Sequence, residues 1–368
     1  MFRLIKKSAI SRARLGKLTT AHGVVRTPFF MPIATRGAVK CLSPEELTGL
    51  GAQIILANTY HLFLRPGLEI MGKAGSLHEF MGWSKSILTD SGGYQVFSLA
   101  RTRKINEQGV EFRSEIDGRK IMLTPELAME IQQSLGSDIM MVLDECTGHP
   151  TDYRKAALAV DRTSRWAERC KKRHLKNGEQ LLFGIIQGSV FPDLRLKSAM
   201  EITAIGFDGY AIGGLAVGEP IKKAYRMIEL VAGKLDQNKP RYLMGMGKPE
   251  QIVQAVKLGI DMFDCVIPTR NARHGLLYVN KKNRKSKAEF DGAFYQELHI
   301  TNARYRNDFR PLDETCSCFA CRNFSRAYLR HLFANNEPLS QRLASIHNLA
   351  FYLGLMEKIR GTIKSGKL

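Results

Sequence analysis

The chain is poor in acidic residues and has no apolar stretch long enough to cross a bilayer. Asp and Glu total 35 against 55 Lys and Arg, a formal charge of +20, and such an imbalance favours a polyanionic partner. With neither a membrane-length span nor a basic amphipathic anchor, nucleic acid is a better candidate than a lipid surface. Met1 to Ser11 is basic but lacks the continuous apolar centre and cleavage site of a secretion signal, so the expected location is the cytoplasm. The seven cysteines are odd in number and mostly scattered, which argues against a disulfide framework and for a reducing compartment. Low-complexity segments and fixed-period repeats are also lacking. What remains, 368 residues with 44% hydrophobic and 24% charged content, is enough to bury the core of one large α/β domain.

Eight short apolar runs recur along the first three quarters: Phe29 to Ile33, Gln53 to Ala57, Ile87 to Thr89, Ile139 to Leu143, Leu181 to Ile186, Tyr210 to Ile212, Tyr242 to Met244, and Met262 to Phe263 with its flanks. Helix signals alternate with them. Ser43-Pro44-Glu45-Glu46 is a capping box with proline in the first turn, Thr124-Pro125-Glu126 opens a stretch closing at Gly136, and Lys248-Pro249-Glu250 opens another before Gly259. Eight strand–helix units point to a (β/α)8 TIM barrel, with an open doubly wound sheet as the rival. The polar residues tip the choice: Asp90, Asp144, Gln187, Gly213-Gly214 and Asp264 each follow a run, and in a barrel they would all face one mouth. Residues 101–122 interrupt the alternation as a hairpin-like insertion turning at Asp117-Gly118. The expected organisation is a single barrel domain over 1–368, with that insertion and a small metal-binding subdomain at about 300–350.

Asp264 ends an apolar run and is followed by Arg270 and Arg273, where a loop is expected to begin. A partly desolvated carboxylate can attack carbon, and two guanidinium forks three residues apart suit phosphate oxygens. Lys281-Lys282-Asn283-Arg284-Lys285-Ser286-Lys287 extends the basic face. Further on, Cys316, Cys318 and Cys321 present three thiols within six residues, with His347 as the fourth ligand and His331 as a nearer alternative. Three thiolates and one imidazole complete a closed tetrahedral zinc shell, hence one structural Zn2+ per chain.

Asp90-Ser91-Gly92-Gly93-Tyr94-Gln95, Gly184 to Gly188, Ile212 to Glu219, Tyr242 to Gly247, Phe263 to Gly275 and the Cys316, Cys318, Cys321, His347 set, in that order, resemble bacterial tRNA-guanine transglycosylase, the queuine tRNA-ribosyltransferase family, over nearly the whole chain. The resemblance implies a zinc-containing barrel that exchanges guanine at the wobble position of tRNA (G34) for preQ1, a 7-aminomethyl-7-deazaguanine, on the way to queuosine. Asp264 then corresponds to the nucleophile that attacks ribose C1′ and Asp90 to the general acid/base. Ser91, Tyr94, Asp144, Gln187, Gly214, the Leu215 backbone and Met244 correspond to the base pocket, with Tyr94 and Met244 sandwiching the ring, and Arg270 and Arg273 to RNA contacts. Cys146 and Val217 match the version that takes an aminomethyl substituent. The family also implies a homodimer, with Phe324, Tyr328 and His331 in its interface and Phe80 as a possible partner. To attack, Asp264 must be ionised, so nearby donors are expected to hold its pKa low. The rival readings are a non-catalytic tRNA-binding subunit of the same family and an unrelated metal-dependent hydrolase, which would need an open metal site.

Overall fold

The computed structural model describes residues 1–95, 103–174, 179–281, 290 and 293–368. Eight parallel strands form its centre: β4 (Phe29–Met31), β5 (Ile54–Ala57), β6 (Ser86–Thr89), β10 (Ile139–Met141), β11 (Leu181–Ile186), β12 (Gly209–Ile212), β13 (Arg241–Leu243) and β14 (Met262–Asp264). Around the ring they run β4-β14-β13-β12-β11-β10-β6-β5. A parallel bridge between Ile33 and Leu56 closes it, helped by Ala34 N–H to Leu56 O at 2.6 Å and Leu56 N–H to Pro32 O at 3.0 Å. All eight expected runs are barrel strands. They are legible because a barrel strand is covered on both faces, so it reads as a continuous apolar run rather than an alternation; β4, β5, β6, β10, β12, β13 and β14 are buried at every position.

The helix starts follow the same logic. Ser43 Oγ accepts from Glu46 N–H at 3.2 Å while Glu46 reaches back to Ser43 N–H at 2.9 Å, so two of the helix's orphan donors are satisfied at once. Thr124 Oγ1 caps Leu127 N–H at 3.1 Å ahead of the helix Pro125–Leu135, which stops at Gly136 in the left-handed region, φ +66°. The helix Pro249–Lys257 starts on Lys248 and ends before Gly259.

Outside the ring are elements the periodicity does not announce. β1 (Phe2–Lys7), β2 (Arg14–Thr20) and β3 (Gly23–Thr27) form an antiparallel sheet under the amino ends of the barrel strands. Buried Arg14 there pairs with Asp261, Nε to Oδ1 at 2.9 Å, just ahead of β14. The segment expected as a hairpin holds three strands rather than two: β7 (Arg103–Ile105), β8 (Val110–Arg113) and β9 (Lys120–Leu123) make a three-stranded antiparallel sheet, with Gly118 at φ +71° in the β8–β9 turn. β15 (Leu276–Asn280) and β16 (Tyr295–His299) pair antiparallel, and the chain ends in a 27-residue helix, Pro338–Lys364. Of the basic run 281–287 only Lys281 lies within the described residues. None of the described helices is long and apolar enough to cross a membrane.

Candidate active site

In a parallel barrel the carboxyl ends of the strands share one rim, and Asp90, Asp144, Gln187, Gly213 and Asp264 all sit there. Asp90 follows β6, Asp144 lies three residues past β10, Gln187 and Gly213 follow β11 and β12, and Asp264 is the last residue of β14.

Asp90 is a buried carboxylate surrounded by donors. It accepts from Thr59 N–H at 3.0 Å, Gly92 N–H at 3.2 Å, Gln95 Nε2 at 2.8 Å and Asn58 Nδ2. Burial pushes its pKa up to about 6, the four donors resisting. A carboxyl poised there can give or take a proton near neutrality. Asp264 is held differently. Its Oδ1 accepts from the Tyr242 hydroxyl at 2.6 Å and from Gly245 N–H at 2.8 Å, and its Oδ2 takes no hydrogen bond from the described residues. One oxygen is fixed and the other is available. The expectation of a low pKa is not met: burial raises it, and Tyr242 and Gly245 only partly counter that. Tyr242 is 1% exposed, and its hydroxyl is pushed well above its ordinary pKa by burial first and then by Asp264, with Asp90 contributing less.

Beside them Asp144 accepts from Ser91 Oγ at 3.1 Å on Oδ1 and from Gln187 Nε2 at 2.7 Å on Oδ2. Burial lifts its pKa to about 6 as well. The chain passes so close here that a Cβ on Gly93 would meet Asp144 O at 2.8 Å, which is why glycine stands between Ser91 and Tyr94. Tyr94 is half exposed. Met244 Sδ lies 3.5 Å from where a Gly213 Cβ would be, and Gln187 lies against both Gly213 and Gly214. Cys146 is 6% exposed and its thiol is pushed up to about 11, by burial first and then by Asp144, so it contributes shape rather than reactivity.

Arg270 and Arg273 are not on a loop. They belong to the short helix Ile267–Arg273, with Pro268 in its first turn, and a spacing of three on a helix puts both on one face. Among the described residues neither guanidinium has an ion-pair partner.

Cys316, Cys318, Cys321 and His347 converge, their ligand atoms all within 4.8 Å of one another. His347 Nδ1 is 3.2 Å from Cys321 Sγ and 3.9 Å from Cys318 Sγ. Sulfurs about 3.8 Å apart surround a tetrahedral ion with about 2.3 Å metal–sulfur bonds, so the group could hold a metal. His347 Nε2 faces Tyr278 O at 2.9 Å, which keeps the proton on that nitrogen and leaves Nδ1 free to ligate. His331, the nearer alternative, is exposed on the helix Arg326–Ala334 and faces Asn335 at 3.3 Å instead. On that helix and just before it, Tyr328 and Phe324 stack with centroids 5.3 Å apart, and Phe319 packs edge-on to Phe324. Phe80, 45% exposed, lies on the separate helix Leu77–Met81.

The family model for queuine tRNA-ribosyltransferase matches residues 9–368. The chain belongs to the queuine tRNA-ribosyltransferase family. Curated relatives agree over nearly the whole of this chain. It is 52% identical over 367 residues to the queuine tRNA-ribosyltransferase of Thermoanaerobacter sp. (strain X514), covering 100% of this chain and 94% of that protein. It is 52% identical over 363 residues to that of Symbiobacterium thermophilum, covering 99% and 87%, and 51% identical over 367 residues to that of Moorella thermoacetica, covering 100% and 94%. Within this family, the residues that sequence reasoning passed over are Asn58, Tyr242, Arg195 and Glu219. Glu219 braces the loop after β12, accepting from Ala216 N–H at 2.7 Å and Val217 N–H at 3.0 Å.

Proposed function

We propose that this chain is a tRNA-guanine transglycosylase, a pentosyltransferase that replaces guanine 34 of tRNA by preQ1 through a covalent glycosyl-enzyme. The observation that carries the reading is the pair of buried carboxylates at one rim, one saturated with donors and the other with a free oxygen. In the first displacement Asp264 Oδ2 attacks C1′, the bond from C1′ to guanine N9 breaks, and Asp90 supplies the proton the departing base needs. In the second, Asp90 takes a proton from the incoming base, whose nitrogen attacks C1′ and releases Asp264. Two inversions give net retention, and the ester keeps C1′ activated, so no nucleotide triphosphate is consumed.

Asp144 suits the N1 and amino edge of a purine, Gln187 and Gly214 its C6 oxygen, the Leu215 backbone, through its carbonyl, an aminomethyl 7-substituent, and Tyr94 and Met244 its faces. The base must leave its stack to reach them. Arg270 and Arg273 would grip the tRNA backbone. Cys316, Cys318, Cys321 and His347 fit one structural zinc, which when bound ties the segment around 300–350 together. Exposed Phe319 and Tyr328, both packed on half-buried Phe324, support a homodimer, and a tRNA substrate supports a cytoplasmic location. A non-catalytic subunit would need neither carboxylate. The deciding experiment incubates purified protein with unmodified tRNA and radiolabelled guanine, then chases with preQ1. Label should enter the tRNA and leave on the chase; no incorporation by folded, zinc-loaded protein refutes the reading.

A further inference from the structure

Arg195 lies inside the helix Pro192–Ile205 and is 0% exposed. Mid-helix arginines ordinarily reach solvent or a carboxylate, and this one does neither. Its Nε donates to Ser189 O at 2.8 Å, Nη1 to Ile186 O at 2.9 Å and to Gly213 O at 2.7 Å, and Nη2 to Gly214 O at 3.2 Å. No carboxylate among the described residues pairs with it. Burial lowers its pKa only to about 10, so the group stays cationic at neutral pH. A buried charge facing only carbonyls is costly, and its position explains what it does. Its four acceptors lie on the last residue of β11 and on the two loops that carry Gln187 and Gly214. One turn on, at the i+3 position of the same helix face, Ser198 Oγ accepts from Gln187 N–H at 3.0 Å, so one helix fixes both loops.

The C=O and N–H of a trans peptide point in opposite directions. Drawing the Gly213 and Gly214 carbonyls onto Arg195 therefore turns the N–H groups of Gly214 and Leu215 away from it. Neither N–H has a protein acceptor among the described residues, although Leu215 is 4% exposed, and the Gln187 amide lies against the same two glycines. Buried donors seldom stand unpaired. Gly214 also needs its φ of +63°, and a Cβ there would come within 2.2 Å of Gln187 Oε1.

We infer that Arg195 is a positioning residue: through the Gly213 and Gly214 carbonyls it aligns and polarises the Gly214 and Leu215 N–H groups into a donor pair for an oxygen on the bound base, the C6 oxygen of a guanine-like purine. The inference rests on the function proposed above and deepens it. Hydrogen bonds in series strengthen one another, so the guanidinium charge is relayed through two peptides to the oxygen, where negative charge gathers as the base departs. The cation never touches the base.

The test uses the full-length, zinc-loaded protein with Arg195→Lys, which keeps the charge but cannot span four carbonyls, and Arg195→Met, which keeps the volume alone. The readouts are KM for guanine, KM for tRNA, and the affinity ratio of guanine to 2-aminopurine, which lacks the C6 oxygen. Unaltered protein should favour guanine by about thirtyfold or more, since a site built to bond a polar group rejects the analogue without it. In either variant the KM for guanine should rise about tenfold to a hundredfold, the KM for tRNA should stay within about twofold, and the ratio should fall at least tenfold. A role confined to stability would lower the melting temperature and leave the ratio alone. Folded variants with an unchanged ratio overturn the proposal. Should neither variant fold, the unaltered chain decides with 6-thioguanine, which keeps N1–H and the 2-amino group and puts a weak sulfur acceptor at C6: binding about as tight as guanine overturns the proposal, and strong rejection supports it. Absence of guanine exchange in the unaltered chain would refute the proposed function instead, a result distinguishable from all of these.

Discussion

Removing the Tyr242 hydroxyl should move the acid limb of the reaction. The phenol donates to Asp264 Oδ1 at 2.6 Å in a setting with almost no water access, and a hydrogen bond to a charged group contributes about 1.5–3 kcal/mol. Tyr242→Phe keeps the ring and deletes that donor, leaving Gly245 N–H as the one remaining donor to Oδ1 among the described residues. The donor favours the ionised carboxylate, so its loss raises a pKa that burial has already raised. At 1.36 kcal/mol per unit the rise is about one to two units. Attack on C1′ needs the ionised form, so the pH of half-maximal adduct formation on the acid side should climb by the same amount. The alkaline side should hold, because Tyr242 makes no hydrogen bond to Asp90. The assay is single-turnover trapping of the protein–tRNA adduct between pH 4 and 9 without added base, followed by denaturing electrophoresis. A folded variant whose acid limb moves by less than about 0.3 units refutes the claim that this phenol sets the ionisation of Asp264.

Asp264→Asn should form no adduct while still binding tRNA, and a trapped adduct in that variant would remove Asp264 from the nucleophile's role. Asp144→Asn should stabilise the fold in a pH-dependent way: the folded pKa of about 6 exceeds the ordinary value, so the protonated form is favoured on folding. That contribution is full below about pH 4 and lost as pH rises through about 6. The variant should therefore gain up to about 3 kcal/mol over the unaltered chain at pH 7.5 and nothing at pH 4, read by urea unfolding; equal differences at both pH values would contradict it. Arg270→Ala and Arg273→Ala should each weaken tRNA binding and reduce the slope of log K against log salt by about 0.7–0.9, and unchanged slopes would exclude phosphate contacts. Cys318→Ser should lose zinc by atomic absorption and melt earlier, and full occupancy would take Cys318 out of the shell.

The barrel was legible because each of its strands is short, apolar and doubly covered, with a polar residue or glycine after five of the eight runs marking the rim. The elements that escaped are those whose stability comes from far along the chain. β1 alternates apolar positions with Arg3, Lys6 and Lys7 and gains its partner only by pairing with β2; β2 in turn is tied down by Arg14 on Asp261, 247 residues away. The helix Ile267–Arg273 read as a loop because seven polar-rich residues carry no period, and only Pro268 hinted at a first turn. The placement of Asp90, Asp144, Gln187 and Asp264 at one rim was legible and their electrostatics were not. Whether donors or burial win at Asp264 depends on Tyr242, which in sequence is one more apolar position of β13. Arg195 was hidden for the opposite reason: on a surface helix a cation reads as solvated, and only the loops folding over it make it a buried clamp.

That long-range dependence links the cysteine cluster to the rim. His347 and Asn348 are consecutive and both 0% exposed on the last helix. Asn348 Nδ2 donates to Pro268 O at 3.0 Å and Leu276 O at 2.9 Å, and its Oδ1 accepts from Tyr278 N–H at 3.1 Å. Tyr278 is also the residue whose carbonyl orients His347. One turn further, Tyr352 donates to Gly247 O at 2.8 Å, just past Gly245, which holds Asp264. A metal fixing His347 would therefore fix the helix that carries Arg270 and Arg273, and would brace the loop whose Gly245 holds Asp264. Loss of the ion should then weaken tRNA grip before it alters the chemistry of bound substrate. With mild chelation the KM for tRNA should rise at a metal occupancy where single-turnover adduct formation from saturating tRNA is still near its full rate. The opposite order, adduct formation failing first, would mean that the cluster supports Asp264 more than the arginine helix.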